Sequence, residues 1–311
     1  MKVMITGGSG FIGSALVSTL LSRVDIEQLI IVDILERPLD LHDEKVRWVK
    51  TSFIDIPNNE KLLEEFKSCR IDVLFHLATT MFPKRSSDNP TQDLLENGAY
   101  SVAFCRSMYN IGVKKIVYAS SGGLIYGDNL EKNILDENSL TNPKISYGIV
   151  KKINEDYLRL LSEHYNSKFI SMRISNPYGI NQNKVGTQGV IPIFVNLILN
   201  SEEINLSESE FSCRDYIYID DLVSALEKAI DYNGKFSIFN ICSGISYTLS
   251  QLIEEIERKT GRKAKVNKAD SSVESFVKLT NEKARIELNW TPRVSLPNGI
   301  SLLVNNFKNG N

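Results

Sequence analysis

The chain has no excess of positive charge. The 36 Lys and Arg residues are outnumbered by 38 Asp and Glu, for a formal net charge of -2, and the isoelectric point is near 6.0. Such a chain has no general field for nucleic acid or an anionic membrane, which leaves room only for a localised anion site. Cysteine is also sparse. Cys69, Cys105, Cys213 and Cys242 lie far apart, form no CxxC pair and have only His42, His76 and His164 for company. Neither a disulfide framework nor a metal site is expected, and the thiols are expected to be buried and free. No run of about 18 uncharged apolar residues occurs. Met1 leads directly into the strand-like Lys2-Val3-Met4-Ile5, without a charged leader and apolar segment, so a soluble cytoplasmic protein is expected. There is no repeat, low-complexity tract or Pro/Gly/Ser-rich linker.

What is present is a regular alternation. Hydrophobic residues make up 42% of 311 positions, enough for two domains or one large α/β unit. Short apolar runs at Val3–Ile5, Leu29–Val32, Val73–Leu77 and Ile116–Ala119 are separated by longer helical patterns such as Phe11–Leu21. Runs of this length suit strands covered on both faces by crossover helices, which implies a mainly parallel, doubly wound α/β sheet. A further strand is expected at Trp48–Phe53, then a helix between Pro143 and His164 followed by a strand at Phe169–Ile174. From about Asn176 the pattern changes to turns, a Gly/Gln/Thr segment at Gly186–Gly189, a strand at Phe236–Cys242 and helices at Asp221–Ile230 and Leu249–Lys259. A first domain over 1–175, completed by parts of 215–245, and a smaller mixed lobe over 176–311 interleaved with it are expected to pack across a cleft.

Gly7-Gly8-Ser9-Gly10-Phe11-Ile12-Gly13 lies between the first strand and the first helix. Glycine permits the tight turn and lets a phosphate approach the N–H groups of a helix N-terminus, where an anion is favoured. Asp33, about 20 residues on and at the end of the second strand, supplies the carboxylate that accepts hydrogen bonds from an adenosine ribose and repels a 2′-phosphate. Together these residues predict a Rossmann-type site that prefers NAD, with Arg37 close enough in sequence to complicate the preference. Asp55-Ile56 is either an adenine contact or a loop acid followed by a core isoleucine. Further along, Tyr147 precedes Lys151 by four residues, so the phenol and the ammonium share one helix face. A nearby lysine and an oxidised nicotinamide both favour the phenolate, which makes Tyr147 a usable acid and base.

With these motifs in place, the chain resembles the extended short-chain dehydrogenase/reductase family, within its nucleotide-sugar epimerase and dehydratase group. The likeness covers nearly the whole length: the glycine motif, Asp33, His76-Leu77-Ala78, Asn97, Ser120-Ser121 with Tyr126-Gly127, Tyr147 and Lys151, Arg173 with Asn176-Pro177-Tyr178-Gly179, and Arg214-Asp215-Tyr216-Ile217. The resemblance implies that Gly7, Gly10, Phe11, Ile12, Gly13, Asp33, Asp55, Ile56, Leu77, Ala78 and Asn97 surround NAD, together with Tyr147 and Lys151. It implies that Lys151 holds the nicotinamide ribose, that Tyr147 shuttles the proton, and that Asn176 and Arg214 contact the diphosphate of a nucleotide sugar. A guanidinium fork suits phosphate oxygens; a salt bridge from Arg214 to Asp215 or Asp220 is the other reading. The family also implies a homodimer through helices at Leu94–Asn110 and Ile145–Tyr165.

Two departures stand out. The family's Ser or Thr that bonds the reacting sugar hydroxyl is replaced by Gly122, leaving Ser121, Thr79, Thr80 or a water to fill the gap, with Ser121 and Gly122 still facing substrate. Where relatives place a second phosphate-binding arginine, the chain has Ala269-Asp270-Ser271-Ser272. Gly123 and Leu124 also stand where 4,6-dehydratases carry an acidic pair, so dehydration is not expected. The resemblance therefore points to 4-epimerisation through a 4-keto sugar. The alternatives are a nucleotide-linked 4-keto-6-deoxyhexose reductase consuming NADH or NADPH and, from another class, a non-catalytic NAD-binding regulator.

Overall fold

In the computed structural model the described residues are 1–127, 129, 131–182, 189–206, 208–267 and 274–309. Most of the Gly186–Gly189 segment and all of 269–272 lie outside them. Among the described residues twelve strands follow in chain order: β1 (Lys2–Thr6), β2 (Gln28–Asp33), β3 (Val46–Lys50), β4 (Val73–His76), β5 (Lys115–Ser121), β6 (Lys168–Ile174), β7 (Asn176–Tyr178), β8 (Glu203–Asn205), β9 (Cys213–Tyr218), β10 (Phe236–Ile241), β11 (Ser246–Thr248) and β12 (Lys265–Asn267). Seven of them form one sheet in the order β10-β6-β5-β4-β1-β2-β3, with every neighbouring pair parallel. The sheet order reverses between β1 and β4, the place where doubly wound sheets open a crevice at their carboxyl ends. β11-β9-β7 and β12-β8 form two smaller sheets.

The apolar runs are explained by burial on both faces. Val3 and Ile5 point into one core with α1 (Phe11–Leu21), while Met4 points into the other with Phe66 and Phe104. The third strand differs from its expected range, running over Val46–Lys50, because the chain turns just beyond it, where the Asp55 N–H donates to the Ser52 carbonyl at 3.1 Å.

The helices that concern the site are α2 (Glu60–Cys69), α3 (Pro83–Asp88), α4 (Pro90–Asp93), α5 (Tyr100–Asn110) and α6 (Ser146–His164). Where one helix was expected over Leu94–Asn110, a π-helical turn occupies Leu94–Ala99 and α5 follows it. A single π-turn inserts an extra residue and re-aims the side chains around it, here including the buried Asn97. The expected helix from Pro143 begins instead at Ser146.

Candidate active site

Because the large sheet is parallel, the residues that follow its strands gather at one edge. The glycine turn follows β1, Asp33 ends β2, Leu77 and Ala78 follow β4, Ser121 and Gly122 lie at the end of β5, and Asn176 follows β6.

The glycine turn fits a dinucleotide phosphate on steric grounds. Gly7 has φ +79°, and a Cβ there would lie 3.0 Å from Ala78 backbone; a Cβ on Gly13 would lie 2.0 Å from the Gly7 carbonyl. The turn therefore packs without side chains, bringing backbone to the surface where the first turn of α1 begins. Gly10 caps that helix with no side-chain bond, so its leading N–H groups are presented to an anion. Phe11 and Ile12 form that first turn and are half-buried. The Asp33 carboxylate accepts from the Ser9 N–H at 2.8 Å and the Leu35 N–H at 3.0 Å, which fixes it beside the turn. Arg37, the complicating cation, is engaged by the carbonyls of Leu41, Asp43 and Val46 at 2.7, 3.2 and 3.4 Å. Asp55 is exposed and Ile56 is buried in the core beside Phe53.

The Ala78 N–H donates to Thr6 Oγ1 at 3.3 Å, and Thr6 shares a 2.8 Å hydrogen bond with His76. Burial pushes the His76 imidazole down to about 3, so it is neutral at physiological pH. Asn97 reaches the loop after β4: its Oδ1 accepts from the Thr80 N–H at 2.8 Å and from Thr79 Oγ1 at 3.2 Å, and its Nδ2 donates to Thr80 Oγ1 at 2.9 Å. Thr79 and Thr80 are thereby both engaged.

Tyr147 and Lys151 lie on one face of α6, with the Lys151 ammonium 5.4 Å from the Tyr147 ring centre and 4.7 Å from that of Tyr118. Lys151 donates to the Ala119 carbonyl at 2.7 Å. In the chain without cofactor, other groups set the ionisation of the pair. Burial, with a smaller effect from the charge of Asp93, raises Tyr147 to about 12. Burial lowers Lys151 to about 8, against the charges of Asp93 and Glu155. The phenol is therefore the proton-bearing form at neutral pH.

Gly148, next to Tyr147, packs directly on the Gly122–Leu124 loop, since a Cβ on it would lie 2.5 Å from the Leu124 carbonyl. On the loop's other side, a Cβ on Gly123 would lie 3.7 Å from the Asn176 side chain, whose Nδ2 donates to the Asp215 carbonyl at 2.8 Å. Gly122 donates its N–H to the Ile174 carbonyl at 2.7 Å. A Cβ on Gly122 would meet the Arg173 carbonyl at 2.9 Å and Leu279 Cδ1 at 2.8 Å. Ser121 is almost fully buried, and the neighbouring Ser120 hydroxyl is buried without a hydrogen-bond partner. Arg214 pairs with Glu208 at 2.6 Å, neither Asp215 nor Asp220, while its Nη1 is buried and unpartnered.

Asp93 was missed by sequence reasoning, although its position four residues before Asn97 places both on one helix face. Its buried carboxylate takes hydrogen bonds from Asn97 and Ser146.

Residues 3–242 match the model of the NAD dependent epimerase/dehydratase family. The chain is 42% identical to the dTDP-4-dehydro-6-deoxyglucose reductase of Escherichia coli, over 98% of this chain and 97% of that one. It superposes on UDP-glucose 4-epimerase from Thermotoga maritima, solved with UDP-glucose, with TM-score 0.89, 31% identity and 99% of each chain covered. The Thermus thermophilus UDP-glucose 4-epimerase, solved with NAD, matches with TM-score 0.88 and 27% identity over the full length of both chains. With the glycine turn and the acid at one sheet edge and the Tyr–Lys pair on the helix bonded to β5, the chain belongs to the NAD dependent epimerase/dehydratase family.

Proposed function

We propose that the chain catalyses NAD-dependent oxidoreduction at C4 of a nucleotide-linked hexose, through a 4-keto sugar, as a 4-epimerase. The observation that carries this reading is the Tyr147–Lys151 pair on α6, packed through Gly148 onto the loop that adjoins Asn176. NAD is the cofactor, and when bound it accepts the hydride from the sugar carbon and returns it.

The chain's own groups supply the rest. The Tyr147 phenol holds the proton exchanged with the sugar oxygen, and Lys151 provides the only cation of that pair, buried where its field is weakly screened. The α1 amides hold the pyrophosphate and Asp33 the adenosine ribose. Asn176 and the unpartnered Nη1 of Arg214 face the diphosphate of the substrate. Ser121, beside the glycine that replaces the usual hydroxyl, is the residue proposed to bond the reacting oxygen. Leu94, Leu95, Tyr100, Ile149, Tyr157 and Leu160 are exposed apolar side chains, and their cover in this reading is a second copy of the chain, making a homodimer. No helix among the described residues is long and apolar enough to cross a membrane; a cytoplasmic location belongs to the same proposal.

A second reading, reduction of a nucleotide-linked 4-keto-6-deoxyhexose, is favoured by the 42% identity to a reductase of that class. Both readings share the ketone-reduction step. Purified protein is incubated with UDP-, dTDP-, CDP- and GDP-hexoses, or with a 4-keto-6-deoxy sugar plus NADH or NADPH, and the products are analysed by NMR. Conversion of hexose to its 4-epimer without net cofactor use supports the epimerase, and stoichiometric cofactor oxidation with the keto sugar supports the reductase. Tyr147→Phe should lower either turnover at least about a hundredfold while leaving NAD binding nearly intact. Absence of both reactions sinks the proposal.

A further inference from the structure

The segment after β5 touches α6 beside Tyr147. Gly148 packs so closely on the Leu124 carbonyl that a Cβ would lie 2.5 Å from it, so the position of loop 122–127 decides where that turn of the helix, with its phenol, can sit. The loop is fastened at both ends. At its start the Gly122 N–H donates to the Ile174 carbonyl at 2.7 Å. Near its far end the buried Tyr126 phenol is held from two sides, donating to Asn240 Oδ1 at 2.7 Å and accepting from Arg173 Nη1 at 2.9 Å. The proton of this second phenol is committed to an amide oxygen and its oxygen to a guanidinium, so Tyr126 is not a second acid–base group.

Both partners of that phenol are anchored in turn. Arg173, on β6, gives its Nε and Nη2 to the Glu155 carboxylate at 3.1 and 2.8 Å, and its guanidinium carbon lies 5.0 Å from the centre of the Tyr126 ring. Glu155 is on α6, four residues after Lys151 as Lys151 is four after Tyr147, so the three follow one another along one helix face. Asn240, on β10, donates its Nδ2 to the Leu135 carbonyl at 3.3 Å and its N–H to the Glu137 carboxylate at 2.7 Å. One phenol thus joins loop 122–127 to α6, through Arg173 and Glu155, and to β10. Tyr126, Arg173, Glu155 and Asn240 are all buried. An unpaired donor or acceptor at such a depth is costly, so the network holds its members in a single arrangement.

We propose that Tyr126 is a positioning residue: its phenol, shared between Arg173 and Asn240, fixes loop 122–127 against Gly148 and so sets the place of the Tyr147 hydroxyl relative to Ser121. The inference rests on the C4 oxidoreduction proposed above, in which Tyr147 exchanges a proton with the sugar oxygen. Oxidation and reduction both need the phenol at one place, and a misplacement of about 1 Å costs on the order of a hundredfold in rate.

The test removes the phenol oxygen alone with Tyr126→Phe, which keeps the ring. A monofluorotyrosine at position 147 reports its surroundings by fluorine NMR in protein free of sugar. Tyr126→Phe should move that resonance, lower kcat at least about tenfold and leave NAD affinity nearly unchanged, because the glycine turn and Asp33 are untouched. Asn240→Ser takes away the phenol's acceptor and should do the same, and the double variant should lose little more kcat than either single one, since both cut one link. A resonance that stays in place in a folded variant overturns the inference, as do additive losses in kcat or an NAD affinity that falls in step with kcat. A phenol with a structural role alone would lower the melting temperature and leave resonance and kcat where they were. If one variant does not fold, the other is read alone by its resonance and kcat; failure of both to fold marks the link as structural and overturns the inference. The resonance needs no turnover, so its expected movement in a protein inactive on every sugar sinks the functional reading alone, and an unmoved resonance in an active enzyme sinks the role of Tyr126 alone.

Discussion

Lys151 turns its ammonium towards the backbone of β5, giving a 2.7 Å hydrogen bond to Ala119, and so fastens α6 to the strand that leads into the Gly122 loop. Lys151→Met removes both the strap and the charge. The lost charge-assisted bond should lower stability by about 1.5–3 kcal/mol, read by chemical denaturation, and turnover should fall with it. Lys151→Arg should not rescue turnover, because the planar guanidinium cannot replace a compact ammonium at a buried carbonyl. An arginine variant with parental activity would refute this.

Asp33 is held by two backbone N–H groups, and Arg37 is committed to carbonyls. Asp33→Ala should weaken NAD at least about tenfold, the loss of one charge-assisted bond, and NADP far less, because repulsion of the 2′-phosphate goes with it. Calorimetric titration with each dinucleotide checks this. Equal losses would remove Asp33 as the selector.

Gly122 is not among the positive-φ residues. Its requirement is space, set by the Arg173 carbonyl and Leu279. Gly122→Ser should cost about 1–3 kcal/mol through overpacking and should lower activity with a free C4 hydroxyl instead of restoring a missing group. A folded, equally active variant in melts and steady-state kinetics would contradict the spatial explanation.

His76 is neutral when folded and takes a proton when unfolded near its ordinary value of 6.5. The unfolded chain then binds more protons, so stability is full above about pH 6.5 and falls as pH drops towards 3. Denaturation at pH 7 and pH 5 should show His76→Gln losing about 2 kcal/mol less than the parent across that interval. Identical losses would mean that His76 takes no part in the acid limb.

The large sheet was legible because each strand is apolar on both faces, as with Val3 and Ile5 in one core and Met4 in the other. The Tyr147/Lys151 pairing on one face was legible from helical spacing. Other features depend on distant partners that local periodicity does not carry. Ser146, which meets Asp93, is 53 residues away, and the π-turn around Asn97 shifts the helical phase where a regular helix over Leu94–Asn110 was expected. Arg214 finds Glu208 instead of either nearby aspartate because its β9 register, with Tyr247 opposite, decides where the fork points. The surroundings of Tyr147 were legible only in part: spacing revealed the nearby lysine but not the buried Asp93, which lies 54 residues earlier.

The contact between Gly122 and Leu279 has a consequence for how the enzyme comes into being. Synthesis proceeds from the N-terminus, and early segments begin to fold first, yet the loop beside Tyr147 obtains its packing partner from a residue made long after it. A nascent chain lacking that residue has its Tyr–Lys pair without the full support of the loop beside it. Competence at this site is thus a late event in biogenesis, and a polypeptide shortened before Leu279 should emerge inert even when its sheet is formed.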